Sequence, residues 1–281
     1  MLHQYLIDDV ILRALKEDAH YLDLSCEYLF EPSQIGRAYL LANEPGVMCG
    51  GEIFVRVFTL LNNAIEANVL AKDGEAFAKG DTLLEIAGPI AGLLQGERTA
   101  LNLLQHLCGV ATMAAQVVAA VEGTGAVVCD TRKTLPGLRA LQKYAVTCGG
   151  GRNHRFNLSD GVMLKDNHID ACGSIDEAVK RVRGKIGHMV KIEVETRDLD
   201  EVAQALSAGA DVIMLDNMSM DEMREAVAFV RAHEKAPVLL EASGDITLEN
   251  AREIALAGVN ILSLGALTHS VKAANISMRM R

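Results

Sequence analysis

Charged and small residues follow six short apolar runs in the second half of the chain. We predict that the runs are β-strands, at residues 126–129, 162–164, 190–194, 212–215, 238–240 and 261–264. The residues that end or follow them are of ion-binding types: Asp130 to Lys133, Lys165 to His168, Glu195, Asp216 and Asn217, Glu241 to Gly244, and Gly265 to His269. In a closed βα barrel the carboxyl ends of the strands meet at one mouth, where catalytic groups lie. The series therefore predicts a functional site at such a mouth.

The cations of this predicted mouth indicate an anionic ligand. Arg132, Lys133 and Lys165 follow two of the strands, and the loop between those strands adds His154 and Arg155. Cations packed this closely repel one another by several kcal/mol at an intermediate dielectric, so a negative charge must offset them. Internal Asp and Glu side chains would do so, but we favour a multiply anionic ligand because the arginine fork suits carboxylate or phosphate.

Two acids and three small residues extend the predicted site. Glu195 and Asp216 end neighbouring βα units and suit Mg2+, which takes one or two carboxylates plus substrate phosphates. They would equally serve as general bases or as partners of the lysines. Ser243, Gly244 and Gly265 follow the last two strands, where backbone N–H groups of such barrels commonly hold a phosphate.

The elements between the strands read as helices with defined ends. Ser174, Asp198 and Ser219 each precede a glutamate three residues later, which is the spacing of a capping box. Gly209 and Gly258 fall where helices should end. Alternating buried strands and helices predict a parallel sheet, either open and doubly wound or closed as a barrel. The Gly-x-Gly-x-x-Gly of a Rossmann fold is missing after the first strand, and the polar strand ends favour the barrel.

The first hundred residues have a different pattern. Helical spacing over residues 9–19 and 51–62, with short strand-like runs between turns, predicts an α+β domain. A long helix is predicted over residues 93–121, with Gly109 as a plausible interruption. We place the domain boundary near residue 106.

Composition excludes several classes of function. The net charge of −10 disfavours nucleic-acid or anionic-membrane binding. No continuous apolar run reaches about 18 residues, and the first residues do not resemble a signal peptide, so we expect a cytoplasmic protein. The six cysteines occur singly, without a Cys-x-x-Cys pair, which argues against zinc and against a redox dithiol.

Seven motifs occur in the order found in one known family. They are ERTALN at 97–102, DTRKTLPG at 130–137, GGGRNHR at 149–155, KDNH at 165–168, MLDN at 214–217, EASG at 241–244 and GALTH at 265–269. Together they resemble the signature set of the quinolinate phosphoribosyltransferases. The resemblance covers essentially the whole chain.

The resemblance implies a two-domain subunit. Residues 1–106 would form an N-terminal α/β sandwich, and residues 107–281 an incomplete α/β barrel of the TIM type that is catalytic. In this arrangement the last residues of the chain could pack against the N-terminal domain. It also implies at least a homodimer, in which the N-terminal domain of one subunit contributes to the active site of the other. The substrates would be quinolinate and phosphoribosyl pyrophosphate, with Mg2+ as cofactor.

The resemblance also implies roles for individual residues. The quinolinate carboxylates would be bound by Arg132, His154, Arg155 and Lys165, with Arg98 from the partner subunit. Lys133 would face both substrates. Glu195 and Asp216 would bind the ribose and Mg2+. The phosphate would be held by Ser243, Gly244, Gly265 and His269. The residues expected to take part in catalysis are Lys133, Lys165, Glu195 and Asp216.

Three positions depart from the family pattern. Asp245 stands where a second glycine is frequent, Asn157 where glycine is common, and Leu22 in a segment that usually reads Gly-Asp-Leu-Thr-Thr. An additional carboxylate at Asp245 should weaken phosphate binding unless it points away. The sequence does not identify the residue that delivers a proton to C2 of the ring.

Three other functions remain open from the sequence. A paralogue of the same family would act on a different ring. A Schiff-base aldolase would use Lys165 as its nucleophile. A non-catalytic phosphosugar-binding protein would bind phosphoribosyl pyrophosphate without releasing pyrophosphate.

Overall fold

The computed structural model describes residues 2–19 and 21–281, which form helices and strands numbered here in chain order. The helices are α1 (Gln4–Asp18), α2 (Leu24–Leu29), α3 (Gly51–Leu61), α4 (Ile90–Ala120), α5 (Arg139–Cys148), α6 (Asp166–Cys172), α7 (Ile175–Arg183), α8 (Leu199–Ser207), α9 (Met220–His233), α10 (Ala251–Leu256) and α11 (Ala266–His269). The strands are β1 (Ile35–Ala42), β2 (Gly46–Val47), β3 (Glu66–Val69), β4 (Ala76–Phe77), β5 (Thr82–Pro89), β6 (Val127–Cys129), β7 (Val162–Leu164), β8 (Ile192–Thr196), β9 (Val212–Asp216), β10 (Leu239–Ser243), β11 (Ile261–Ser263) and β12 (Ile276–Met280).

These elements belong to two compact units that are each built from several segments. The first unit comprises residues up to 115, 134–150 and 267–281, and the second comprises residues 116–133 and 151–266. The predicted division of the chain near residue 106 stays a prediction.

The first unit contains an antiparallel sheet in the order β12-β1-β5-β3. In β1 the buried residues alternate, at Ala38, Leu40 and Ala42, because successive side chains of a strand point to opposite faces. The final strand pairs with β1, from Ala38 opposite Met280 to Ala42 opposite Ile276.

Two predicted helices of the first unit are confirmed. The pattern over residues 9–19 gives α1, which buries Ile11 and Leu15. The pattern over 51–62 gives α3, which buries the two phenylalanines Phe54 and Phe58 at i, i+4 spacing. Both helices bury a single apolar stripe, which is why their periodicity could be recognised in the sequence.

The prediction that Gly109 interrupts the long helix is wrong, because α4 runs without a break from Ile90 to Ala120. A Cβ atom at position 109 would lie 2.2 Å from the carbonyl oxygen of Lys272. This glycine therefore permits a close backbone approach within the first unit and does not end the helix. Within the described residues, α4 is the one helix long and apolar enough to span a membrane by composition alone; 44% of its most apolar window is buried.

The second unit contains a six-stranded parallel sheet in the order β6-β11-β10-β9-β8-β7. All six predicted strands are present, and helices connect the later ones. Ser174, Asp198 and Ser219 each accept a hydrogen bond from the backbone N–H of the glutamate three residues later, as predicted. Strands β6 and β7 are the edges, so the sheet does not close in the described part of the chain. The predicted fold class, an N-terminal α/β domain followed by an incomplete parallel barrel, is confirmed.

Candidate active site

The register of the parallel sheet places several predicted residues on one face. Glu195 is paired with Met214, and Asp216 with Ser243. Residues paired across parallel strands point to the same face, and so does every second residue along each strand. The side chains of Glu195, Asp216 and Ser243 therefore share a face of the sheet and lie toward the carboxyl ends of its strands.

Lys165 joins this face through an ion pair. It follows β7 directly, and its ammonium group donates a short hydrogen bond to the carboxylate of Glu195. Glu195 is mostly buried, whereas the Lys165 side chain is 45% exposed and so remains accessible to a ligand. On the next strand, the Asp216 carboxylate accepts a hydrogen bond of 3.0 Å from the side-chain amide of Asn217.

His154 lies between two buried glutamates. Its Nε2 is 3.1 Å from Glu193 Oε2 and 3.4 Å from Glu241 Oε1. Burial alone would lower the pKa of His154, but the two carboxylates outweigh burial and raise it to about 10. Burial also raises the pKa of Glu193. His154 therefore retains a proton that an isolated imidazole would lose near neutral pH.

The loop that carries His154 is held beside the edge strand β6. Arg152 donates its backbone N–H to the carbonyl of Val128 at 2.8 Å, and Asp130 donates its own to the carbonyl of Arg152 at 3.1 Å. The carboxylate of Asp130, which is fully buried, accepts the backbone N–H of His154 at 3.0 Å. These bonds fix the loop as an additional extended segment, so His154 is positioned as firmly as a strand residue.

Arg155 lies next to a second arginine. Burial and the positive charge of Arg132 both lower the pKa of Arg155, while Glu193 and Asp160 oppose the shift. Its guanidinium donates 3.1 Å to the carbonyl of Gly161 and contacts the sulfur of Met163. Among the described residues, its buried Nε has no hydrogen-bond partner. Two of the predicted cations, Arg132 and Arg155, thus lie close together, and internal acids offset part of their repulsion.

Tight backbone turns follow strands β9 and β10. Asn217 has φ 53° and Gly244 has φ 92°, both in the left-handed region that favours glycine. A Cβ atom on Gly244 would lie 2.0 Å from Asn217 Oδ1, so only glycine fits there. Asp245 also has positive φ, at 46°, and is exposed. An aspartate therefore occupies a backbone position of the kind that favours glycine.

The remaining predicted residues lie in several places. Lys133 is exposed in the second unit, and its backbone N–H donates to Thr131 Oγ1 at 3.0 Å. Gly265 follows β11 in the same unit. Arg98 is exposed on α4 of the first unit, and His269 ends α11 there, with Nδ1 2.6 Å from Ser270 Oγ. The functional roles of all these residues stay predictions.

Sequence reasoning missed Glu193 and gave Glu241 no role of its own. Both carboxylates are almost fully buried, at 7% and 2% side-chain exposure, and both contact His154. A glutamate in the middle of an apolar run was the available signal, because ionised residues are almost never fully buried unless they are paired. The two carboxylates provide this face of the parallel sheet with oxygen ligands for a cation. The neighbouring arginine and lysine side chains provide nitrogen donors for anions.

Two family models match the chain over most of its length. "Quinolinate phosphoribosyl transferase, N-terminal domain" matches residues 23–108, and the corresponding C-terminal domain matches residues 110–279. Their joint coverage extends over both compact units.

Curated relatives and a solved structure agree with this match. The chain is 44% identical to the probable nicotinate-nucleotide pyrophosphorylase (carboxylating) of Bacillus subtilis (strain 168), over 99% of this chain and 91% of that protein. It is 41% identical to the nicotinate-nucleotide pyrophosphorylase (carboxylating) of Mycobacterium leprae (strain TN), over 96% and 95% of the two chains. The crystal structure of NadC from Streptococcus pyogenes superposes with a TM-score of 0.94 at 40% identity, covering 100% of this chain and 98% of that one. The chain therefore belongs to the quinolinate phosphoribosyltransferase family.

Proposed function

We propose that this protein transfers the phosphoribosyl group of phosphoribosyl pyrophosphate to quinolinate. The products are nicotinate mononucleotide, pyrophosphate and CO2, and the reaction serves NAD biosynthesis. The observation that carries the proposal is one sheet face on which Lys165 pairs with Glu195 while Asp216 lies on the next strand. The carboxylating pyrophosphorylase activity in the names of the relatives supports the same reaction.

The cations of the second unit bind the dicarboxylate ring. Arg132 and Arg155 present charged nitrogens in a partly buried setting, where a carboxylate forms a stronger, bidentate contact than in bulk water. His154 is held at Nε2 by Glu193 and Glu241 and accepts the backbone N–H of Arg155 at Nδ1, so it fixes the position of Arg155 beside the ring. Lys165 supplies a further positive charge. The two carboxylates of quinolinate replace the repulsion between these cations with attraction.

Bond making and breaking then occur mostly within the substrates. The bond from the anomeric carbon to pyrophosphate breaks with oxocarbenium character, and the ring nitrogen donates its electron pair to that carbon. The ring becomes cationic, so the C2 carboxylate leaves as CO2 and its bonding electrons stay beside N+, where C2 then takes up a proton. The substrate is its own electron sink, and the protein supplies positioning and charge balance, with Lys133 and Lys165 offsetting the leaving charge.

Glu195 and Asp216 fit a magnesium ion by chemistry and position. They are carboxylates on neighbouring strands and on the same face, and Mg2+ is usually held by one or two carboxylates together with substrate phosphates. When bound, the ion would neutralise charge on the pyrophosphate group. The same acids would accept hydrogen bonds from the ribose hydroxyls.

The phosphate is held by the turns after the last strands. Ser243 ends β10, Gly244 takes up a left-handed conformation, and Gly265 follows β11, so these turns of small residues let a phosphate approach the backbone closely. Asp245 is exposed, which allows its carboxylate to point toward solvent and away from the anion.

The functional form is a cytoplasmic homodimer in which Arg98 acts in the site of the partner subunit. The N-terminal segment exposes a group of large apolar side chains that favour burial against another chain. They are Tyr21, Leu24, Tyr28 and Leu29, at 96%, 64%, 78% and 71% exposure. Light scattering should give twice the chain mass, and mixing Arg98→Ala chains with Arg132→Ala chains should restore part of the activity, because a mixed dimer contains one intact site.

The activity is tested by adding quinolinate, phosphoribosyl pyrophosphate and Mg2+ to the purified protein and measuring nicotinate mononucleotide. One parallel reaction replaces quinolinate with nicotinate. Another treats the protein with a carbonyl substrate and borohydride, which would trap a Schiff base. We expect product from quinolinate only. Product from nicotinate alone would indicate a paralogue, a borohydride-trapped adduct on Lys165 would indicate an aldolase, and ligand binding without pyrophosphate release would indicate a phosphosugar-binding protein.

A further inference from the structure

Two thiols and a carboxylate meet in the first unit. Cys49 follows β2, Asp73 lies between β3 and β4, and Cys148 is the last residue of α5. One ligand atom from each residue lies within 4.8 Å of those of the other two. The three residues are far apart in sequence, so a rule based on cysteine spacing does not detect them. No step of the proposed reaction uses this cluster.

The Asp73 carboxylate is already oriented. Its Oδ1 accepts the backbone N–H groups of Gly50 and Gly51, at 2.9 and 3.1 Å, at the start of α3. Its Oδ2 accepts the hydroxyl hydrogen of Tyr144 at 2.7 Å. A carboxylate has about four lone-pair positions, so Oδ2 keeps one that is unused by these three donors. Outer hydrogen bonds of this kind are what fix the ligands of metal sites.

The two thiols are also arranged for metal binding. Cys49 is fully buried, and its backbone N–H donates to the sulfur of Cys108 at 3.3 Å. The Cys49 Sγ, the Cys148 Sγ and an Asp73 carboxylate oxygen lie within 4.8 Å of one another. Cys148 is half-buried, so an ion can reach the cluster from its side.

We propose that Cys49 Sγ, Cys148 Sγ and Asp73 Oδ2 bind a thiophilic divalent cation of the Zn2+ type. Zn2+ is bound tetrahedrally by thiolates at about 2.3 Å and by carboxylate oxygens at about 2.1 Å, so its ligand atoms lie roughly 3.5 to 3.8 Å apart. Binding therefore requires each pair of ligand atoms, now within 4.8 Å, to approach by no more than about 1.3 Å. The fourth position is left to a water molecule or a solute.

The presence of Asp73 favours a metal over a disulfide. A disulfide between Cys49 and Cys148 would use the two sulfurs and leave the remaining lone pair of Asp73 Oδ2 without a partner. A divalent cation would balance two of the three negative charges that the deprotonated cluster carries, and the N–H groups at the start of α3 stabilise the rest. The ion would tie the end of α5 to the segments before α3 and β4.

The test adds Co2+ to metal-free, reduced protein and follows thiolate-to-cobalt charge-transfer absorption. Oxygen and nitrogen ligands do not produce this absorption, so it is insensitive to cation binding at Glu195 and Asp216 or at the cluster of His154, Glu193 and Glu241. We expect one equivalent of Co2+ to produce the band and Zn2+ to remove it. Cys148→Ser should lower the affinity at least 10-fold. Tyr144→Phe should lower it about 10-fold, as is usual for the loss of an outer hydrogen bond.

Cys172→Ser is the matched control. Cys172 is also half-buried and also ends a helix, α6, but it belongs to the second unit. This variant should bind Co2+ as the unmodified protein does. Circular dichroism checks that each variant folds, and Asp73→Asn tests the site with both thiols intact. Zn2+ should raise the thermal unfolding midpoint of the unmodified protein but not that of Cys148→Ser.

Three results would overturn the proposal. One is that the reduced protein shows no thiolate-to-cobalt band. This result would overturn the proposal even if oxidation of the protein forms a Cys49–Cys148 disulfide. Another is undiminished affinity in folded Cys148→Ser and Asp73→Asn. The third is an equal loss in Cys172→Ser. None of these results depends on whether the protein makes nicotinate mononucleotide.

Discussion

Two clusters of ionisable side chains, one in each unit, are assembled in different ways. In the second unit, Glu193 and Glu241 lie on parallel strands whose register brings them to one face, and His154 comes from a loop fixed beside an edge strand. In the first unit, Cys49 and Asp73 lie between elements, and Cys148 ends a helix. In the parallel sheet the strands run in the same direction, so side chains at corresponding positions lie close together. The cluster of the first unit depends instead on the packing of segments that are not part of one sheet.

The clusters also differ in chemistry. The second unit combines hard oxygen ligands with arginine and lysine, which suits an anionic substrate and a hard cation. The first unit combines thiols with one carboxylate and a phenol, which suits a soft cation. The sheet pattern therefore predicts where the ionisable groups of the second unit gather, while the cluster of the first unit becomes visible only in three dimensions. Four substitutions test how separate the two are.

The largest effect is expected for Arg132→Ala. The change removes a cation from the ring-binding group, so kcat/KM for quinolinate should fall about 10³-fold, equivalent to about 4 kcal/mol of transition-state stabilisation. Steady-state kinetics measures the loss, and circular dichroism should show an unchanged fold. Arg224→Ala, at an exposed ion-paired arginine of α9, should keep activity within about twofold. Near-normal turnover in Arg132→Ala would remove this residue from the site.

His154→Leu should cause the largest loss of stability. It leaves Glu193 and Glu241 as neighbouring buried carboxylates without their shared partner, which should cost about 3 kcal/mol at pH 7.5. The pKa of Glu193 is already raised, so the loss should shrink toward pH 5.5, as protonation of Glu193 becomes easier. Urea unfolding at both pH values measures this difference. His188→Leu, at an exposed site, should change stability by about 0.5 kcal/mol or less. An equally stable His154→Leu would mean that the cluster carries little charge.

Gly244→Ala should have an intermediate effect on both stability and phosphate binding. The new Cβ would meet Asn217 in a left-handed backbone, so we expect about 2 kcal/mol lost and a higher KM for phosphoribosyl pyrophosphate. Gly209→Ala is the control, because it has similar positive φ but nothing within 4 Å of the added atom. It should lose about 1 kcal/mol and keep its KM. Equal KM values in the two variants would place the phosphate elsewhere.

Tyr144→Phe should have the smallest effect. It removes one hydrogen bond to Asp73 in the first unit, so the free energy of unfolding should fall by about 1 kcal/mol. Chemical denaturation measures the change, and kcat for quinolinate should stay within about twofold. A large loss of kcat with unchanged stability would show that the two clusters are functionally coupled.

Much of the second unit could be predicted from sequence because its signals are local. Continuous apolar runs mark the strands, and Ser174, Asp198 and Ser219 mark the helix starts. The ion pair between Lys165 and Glu195 follows from the rule that parallel strand ends meet at one edge. Glu193 was missed because a charged residue within an apolar run gives no functional signal until its buried partner is known.

The first unit shows what local patterns cannot supply. Gly109 looked like a helix breaker, but its role depends on the backbone of Lys272, far away in the chain. The pairing of β12 with β1 depends on the same kind of long-range contact. Neither contact produces a periodic pattern in the sequence. To predict either one, the path of the chain between the two contacting segments must already be known.

We propose that the cations of the second unit recognise both carboxylates of the ring. The most direct test is the ratio of kcat/KM for quinolinate to that for nicotinate, measured in the unmodified protein and in Arg155→Ala. We predict a ratio above about 10³ that falls by at least 10² in the variant, since only the dicarboxylate loses a partner. A ratio near one in the unmodified protein, or a ratio that the substitution leaves unchanged, would contradict the claim.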